Sequence, residues 1–71
     1  MIVNAKFIGM AHPILQKDRG YQLEITPHTK GRIKVEVQQH RGKMFILLYK
    51  TEYKNVVEFF NDWDNVRARS N

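Results

Sequence analysis

Side chains able to do chemistry are sparse in this chain and badly spaced for catalysis. His12, His28 and His40 lie sixteen and then twelve residues apart, without the i, i+4 spacing or the cysteine partners of a zinc site. Ser70 is the single serine and there is no cysteine, so no nucleophile stands beside a base. Glu24 and Glu36 alternate with apolar neighbours, and Asp62 and Asp64 sit far along the chain, so no two carboxylates are spaced for acid–base work. Gly9, Gly20, Gly31 and Gly42 are spread one per turn rather than gathered into a phosphate loop. These absences argue against an enzyme, and no cofactor or metal is expected.

The cations say more. Of the 12 Lys and Arg, nine lie in residues 1–50 with three acids, whereas residues 51–71 hold three cations and four acids. The overall formal charge of +5 is therefore carried by the first two thirds. In an antiparallel meander alternate connections share an end, which predicts that Lys17 and Arg19 meet Arg41 and Lys43, with His12 and His40 able to join them. Such a rim would bind phosphates or an acidic surface. Lys30, Arg32 and Lys34 form a second group about the opposite turn. Tyr49 and Tyr53, near the junction with a helix, could present hydroxyls at the surface. The remaining aromatics, Phe7, Tyr21, Phe45, Phe59, Phe60 and Trp63, read as core.

The elements that must position these groups follow from periodicity. Val3, Ala5 and Phe7 alternate with Asn4 and Lys6; Tyr21, Leu23 and Ile25 alternate with Gln22 and Glu24; Ile33, Val35 and Val37 alternate with Lys34 and Glu36. Met44 to Tyr49 is an unbroken apolar run, which predicts a strand that is central or covered by a helix. Turn residues separate the runs, at Pro27–Gly31 and at Gln39–Gly42. Strands are thus expected over about residues 2–9, 20–26, 32–38 and 43–50. Tyr53, Val56, Val57, Phe60 and Trp63 then fall on one helical face, predicting a helix over about residues 52–66 with Thr51 as N-cap and a frayed tail over residues 67–71.

The 71 residues allow one domain, 1–71, with one core. A β-rich α+β domain of four or five antiparallel strands and a C-terminal helix is expected. The lack of cysteine favours an intracellular, cytoplasmic location. The longest apolar run is far below the roughly 20 residues of a membrane span, and the opening Met-Ile-Val-Asn-Ala-Lys lacks the pattern of a secretory signal.

The segments Ala5-Lys6-Phe7-Ile8-Gly9, Gly20-Tyr21-Gln22-Leu23-Glu24-Ile25 and Tyr49 to Trp63 resemble, in order, those of small SH3-like β-barrel accessory proteins encoded by bacteriophages. The first loop, with His12-Pro13-Ile14-Leu15, and the Tyr-Lys-Thr-Glu before the helix depart from that pattern. The resemblance implies an SH3-like partial barrel acting by binding in the host cytoplasm. A non-enzymatic module for a host or phage protein is the first functional expectation. Nucleic-acid binding through Lys17, Arg19, Arg41 and Lys43 is the alternative, and an oligomeric nucleotide sponge a third. Homodimerisation through an edge strand is compatible with so small a sheet.

Overall fold

The computed structural model describes residues 1–69, in which five antiparallel strands form one unclosed sheet with a single short helix at its end. The strands are β1 (Ile2–Phe7), β2 (Gly20–Pro27), β3 (Ile33–Arg41), β4 (Met44–Tyr53) and β5 (Trp63–Ala68), in the order β4-β3-β2-β1-β5. The helix α1 (Val56–Asp62) lies between β4 and β5, and a 3-10 turn over Thr29–Gly31 joins β2 to β3. The fold is therefore mainly β, and none of its helices is long and apolar enough to cross a membrane among the described residues.

Alternation decides the faces. Val3, Ala5 and Phe7 of β1, Tyr21 and Leu23 of β2, and Val35 and Val37 of β3 all point to one side and are buried, joined there by Leu15 from the long first loop. Asn4, Lys6, Gln22, Glu24, Lys34 and Glu36 point to the other, which we call the outer face. A bulge between Val37 and Gln38 leaves Leu48 without a partner and carries Leu47 to the outer face, opposite Gln38. Beyond it the β3–β4 hairpin closes on Gly42 and Lys43. Gly42, at a φ of 63°, takes the left-handed conformation that a two-residue turn with glycine in its first central position demands.

The expected helix over 52–66 is corrected at both ends. Glu52 and Tyr53 remain in β4, opposite Lys34 and Ile33, and Thr51 pairs with Val35 rather than capping a helix. Asn55 is the cap instead, its Oδ1 accepting the Glu58 N–H at 2.9 Å. The helix then stops at Asp62 because Trp63 turns extended, with φ −129° and ψ 131°. Trp63 and Ala68 lie opposite Phe7 and Val3, while Asp64 and Arg67 lie opposite Lys6 and Asn4. An irregularity at Asn65, whose φ is 56°, shifts the register between them. Pairing with β1 satisfies main-chain groups that a continued helix would leave open on β1, and it also buries Trp63 to 1% exposure.

Other expectations change with it. Arg67 and Ala68 belong to β5 and the Arg69 N–H donates to the Ile2 carbonyl at 3.1 Å, so the tail is ordered to that point; Ser70 and Asn71 fall outside the described residues. The strand expected at 2–9 ends at Phe7, and Gln39 to Arg41 extend β3 rather than forming the turn. The apolar run in β4 is neither central nor covered: β4 is an edge strand, and Met44 to Leu47 are exposed. Phe45 and Phe60, expected in the core, are each 55% exposed, whereas Phe59 takes the core position on α1. Two helical turns bury only one narrow stripe, and α1 is too short to cover β4 as well.

Candidate functional site

Under the first loop, the side chains that read as chemistry do structural work. His12 accepts the N–H groups of Ile14 and Leu15 at 3.0 and 3.1 Å on its Nδ1, and its ring meets Tyr49 edge-on with centroids 4.5 Å apart. The Tyr53 hydroxyl donates to Asp62 at 2.8 Å and accepts the Trp63 indole N–H at 3.1 Å. Burial and the Asp62 carboxylate drive its pKa well above the ordinary tyrosine range. Tyr49 and Tyr53, both half-buried, thus stitch β4 to the loop and to the start of β5 rather than offering free hydroxyls. His28 faces Thr29, and among the described residues no three His, Asp or Glu side chains gather to hold a metal ion.

The expected basic rim forms only in part. Arg19 lines a depression of about 440 Å³ on the outer face, together with Asn4, Gln22, Gln38, His40 and Arg69. Its guanidinium also stands 5.7 Å from the centre of the Tyr21 ring. Of the other expected partners, His40 is present there, but Lys17, Arg41 and Lys43 do not line this depression; they sit exposed in the first loop and at the β3–β4 hairpin. The second group is paired in part, since Lys30 and Lys34 take part in no ion pair among the described residues. Arg32 pairs with Glu52 at 2.6 Å, and Lys34 lines a different depression with Glu36, Lys50 and Glu52.

Three cations that the sequence pattern did not single out, Lys6, Arg67 and Arg69, complete the basic site. An adjoining depression of about 350 Å³ shares Asn4 and Gly20 with the first and is lined by Lys6, Asn65 and Arg67. Together the two hold Lys6, Arg19, Arg67 and Arg69, and among the described residues no carboxylate lines either. None of the four cations takes part in an ion pair among the described residues. The nearest acid by register is Asp64, opposite Lys6 on the same face. The floor is amide-rich: Gln22, 8% exposed, donates its NH₂ to Gln38 at 3.0 Å and presents its carbonyl to Arg69 and to His40. Arg69 also stands 2.9 Å from His40 Nε2, a nitrogen that serves one of these two neighbours at a time: its lone pair for the guanidinium, or an N–H for the Gln22 carbonyl.

The aromatic neighbour of this floor is Phe45 on β4, opposite His40, with ring centroids 4.1 Å apart and a tilt of 47°. Cations on β1 and β5, an amide floor on β2 and β3, and an exposed aromatic on β4 therefore succeed one another across the outer face. The spacing Arg67-x-Arg69 was the available signal, since period two after Trp63 is strand alternation. Compared with known proteins, the chain matches no family model, no curated protein and no solved structure.

Proposed function

We propose that this domain is a non-enzymatic binding module whose outer sheet face takes single-stranded nucleic acid. The observation that carries the reading is the pair of adjoining depressions lined by Lys6, Arg19, Arg67 and Arg69, with no carboxylate among the described residues that line them. Sequence-tolerant single-strand binders combine cations that follow the phosphates with aromatic faces on which bases stack. The exposed Phe45 ring against His40 supplies such a face one strand from the amide floor. Asn4 and Gln38 offer donors and acceptors to base edges between them. The SH3-like likeness belongs to the same proposal, supported by the return of β5 to the far side of β1 after the short helix.

The test is fluorescence anisotropy with short unlabelled-competitor DNA and RNA single strands across a range of salt. Neutralising four cations gives a slope of log K against log salt of about −3, so a fourfold rise in salt weakens binding roughly 50-fold. Arg67→Ala should flatten that slope by about 0.7 and weaken every sequence alike. Arg32→Ala, which removes a cation already paired with Glu52, should leave it unchanged. Absence of binding at low ionic strength would dispose of the reading, and tighter competition by a mononucleotide than by an oligonucleotide would favour the sponge instead.

A further inference from the structure

The structure also bears on β4, whose outer edge pairs with no strand among the described residues. We infer that this edge pairs antiparallel with the β4 of a second copy, about a two-fold axis passing through Ile46. The inference is independent of nucleic-acid binding.

Hydrogen-bond parity restricts the register, and an axis at Ile46 is the one that pairs both outward residues, Phe45 and Leu47, within the apolar stretch. In a two-residue hairpin the flanking residues, Arg41 and Met44, exchange their main-chain bonds with each other. The next pair, His40 and Phe45, then directs its main-chain groups away from the β3–β4 ladder, as does the pair of Gln38 and Leu47. Phe45 and Leu47 therefore offer their N–H and C=O groups to the open edge. A two-fold axis at Ile46 sets Phe45 opposite Leu47 of the second copy, both with outward main-chain groups and both with side chains on the outer face. Ile46 then faces Ile46, and Met44 faces Leu48 at the bulge. A shift of one residue would oppose side chains of opposite faces and is excluded by the pleat.

The composition of the edge fits a copy of itself. Met44, Phe45, Ile46 and Leu47 are 71%, 55%, 37% and 50% exposed. At about 200 Å² for a fully exposed large apolar side chain, they leave roughly 400 Å² per copy in water, divided between the two faces of the edge strand. Edge pairing covers the main-chain edge and the flanks of these side chains and leaves both sheet faces, the Phe45 ring included, in contact with solvent, so the contact falls in the weak class below about 1,200 Å². No charge is buried, because Lys43 and Lys50 fall outside the paired stretch. The other edge, β5, carries Asp64 and Arg67 and breaks its register at Asn65, features that discourage pairing there.

The test combines sedimentation velocity with charge exchange at the axis. The wild-type chain should dimerise with rising concentration through the micromolar range. Ile46→Glu and Ile46→Lys should each be monomeric, and an equimolar mixture should dimerise again, since residue 46 meets itself only in this register. The chain has no cysteine, so Ile46→Cys should give one disulfide-linked dimer on oxidation, as the close non-hydrogen-bonded pair permits, whereas Lys17→Cys should not. A wild-type chain that stays monomeric at high micromolar concentration would overturn the inference, even if another protein proved to occupy the edge. So would dimers that persist in both charged variants, or mixtures that fail to pair. Should the charged variants unfold, the failure of Ile46→Cys to cross-link would overturn it equally.

Discussion

Gly9→Ala should destabilise this domain although the position lies in a loop. A Cβ there would stand 2.7 Å from Asp62 Oδ1 and 2.9 and 3.0 Å from two carbons of the Phe7 ring. Phe7 cannot retreat, being 3% exposed and set edge-on against Trp63 at 5.3 Å. Asp62 can yield only by turning its carboxylate, whose other oxygen accepts the Tyr53 hydroxyl at 2.8 Å, and that hydroxyl in turn holds the Trp63 indole. Overpacking costs about 1–3 kcal/mol, and loss of a hydrogen bond to a charged group about 1.5–3 kcal/mol. The opposing gain from stiffening the unfolded chain is about 0.4–1 kcal/mol. If either relief route is taken, the net loss is about 2 kcal/mol, against a total of about 4–10 kcal/mol for a chain of this length. Thermal melts followed by circular dichroism should fall by roughly 10 °C. In an Asp62→Ala background the same substitution should cost at least about 1 kcal/mol less, because one of the two collisions is gone. A Gly9→Ala variant as stable as the wild type would refute the close approach on which this reasoning stands.

Trp63→Ala should cost about 3–5 kcal/mol, enough to unfold much of the population, and retained cooperative melting in urea would show that the indole is not in the core. Alkaline stability should also depend on Tyr53. Its folded pKa is raised, so as pH climbs past the ordinary value of about 10 the unfolded chain loses the phenolic proton first and stability declines. Urea midpoints measured from pH 9 upward should accordingly fall more steeply in the wild type than in Tyr53→Phe, and parallel curves would contradict the buried hydroxyl.

The sheet was legible where one face is wet and the other dry. Val3-Ala5-Phe7, Tyr21-Leu23 and Val35-Val37 announce β1, β2 and β3 because each strand has to bury alternate residues. Legibility failed where that constraint is absent. The unbroken run in β4 implied two covered faces, yet β4 is an edge strand and its first four residues are exposed. From Tyr53 onward the pattern served two periods together: Val56, Val57 and Phe60 sit on a helix but are exposed, while Phe59 and Trp63 carry the burial. A stripe spaced for a helix thus spanned a strand end, one short helix and a strand start, and only the long-range demand of the β1 edge settles where the helix stops.

That demand also accounts for the site. Had residues 63–66 remained helical, Arg67 and Arg69 would stand at a helix end with no fixed relation to Lys6. Pairing with β1 sets Arg67 opposite Asn4 and anchors Arg69 to the Ile2 carbonyl, so strand alternation delivers both guanidiniums to the outer face. The same alternation sends Trp63 inward opposite Phe7. The indole that fixes the end of the core and the cations that charge the outer face are therefore consequences of one register. Moving β5 by a single residue would exchange them, placing the arginines in the core and the tryptophan in water. The burial of Trp63, together with the Tyr53 and Asp62 contacts that hold it, is what prevents that slip, and it makes the basic face as dependent on the core as on its own four side chains.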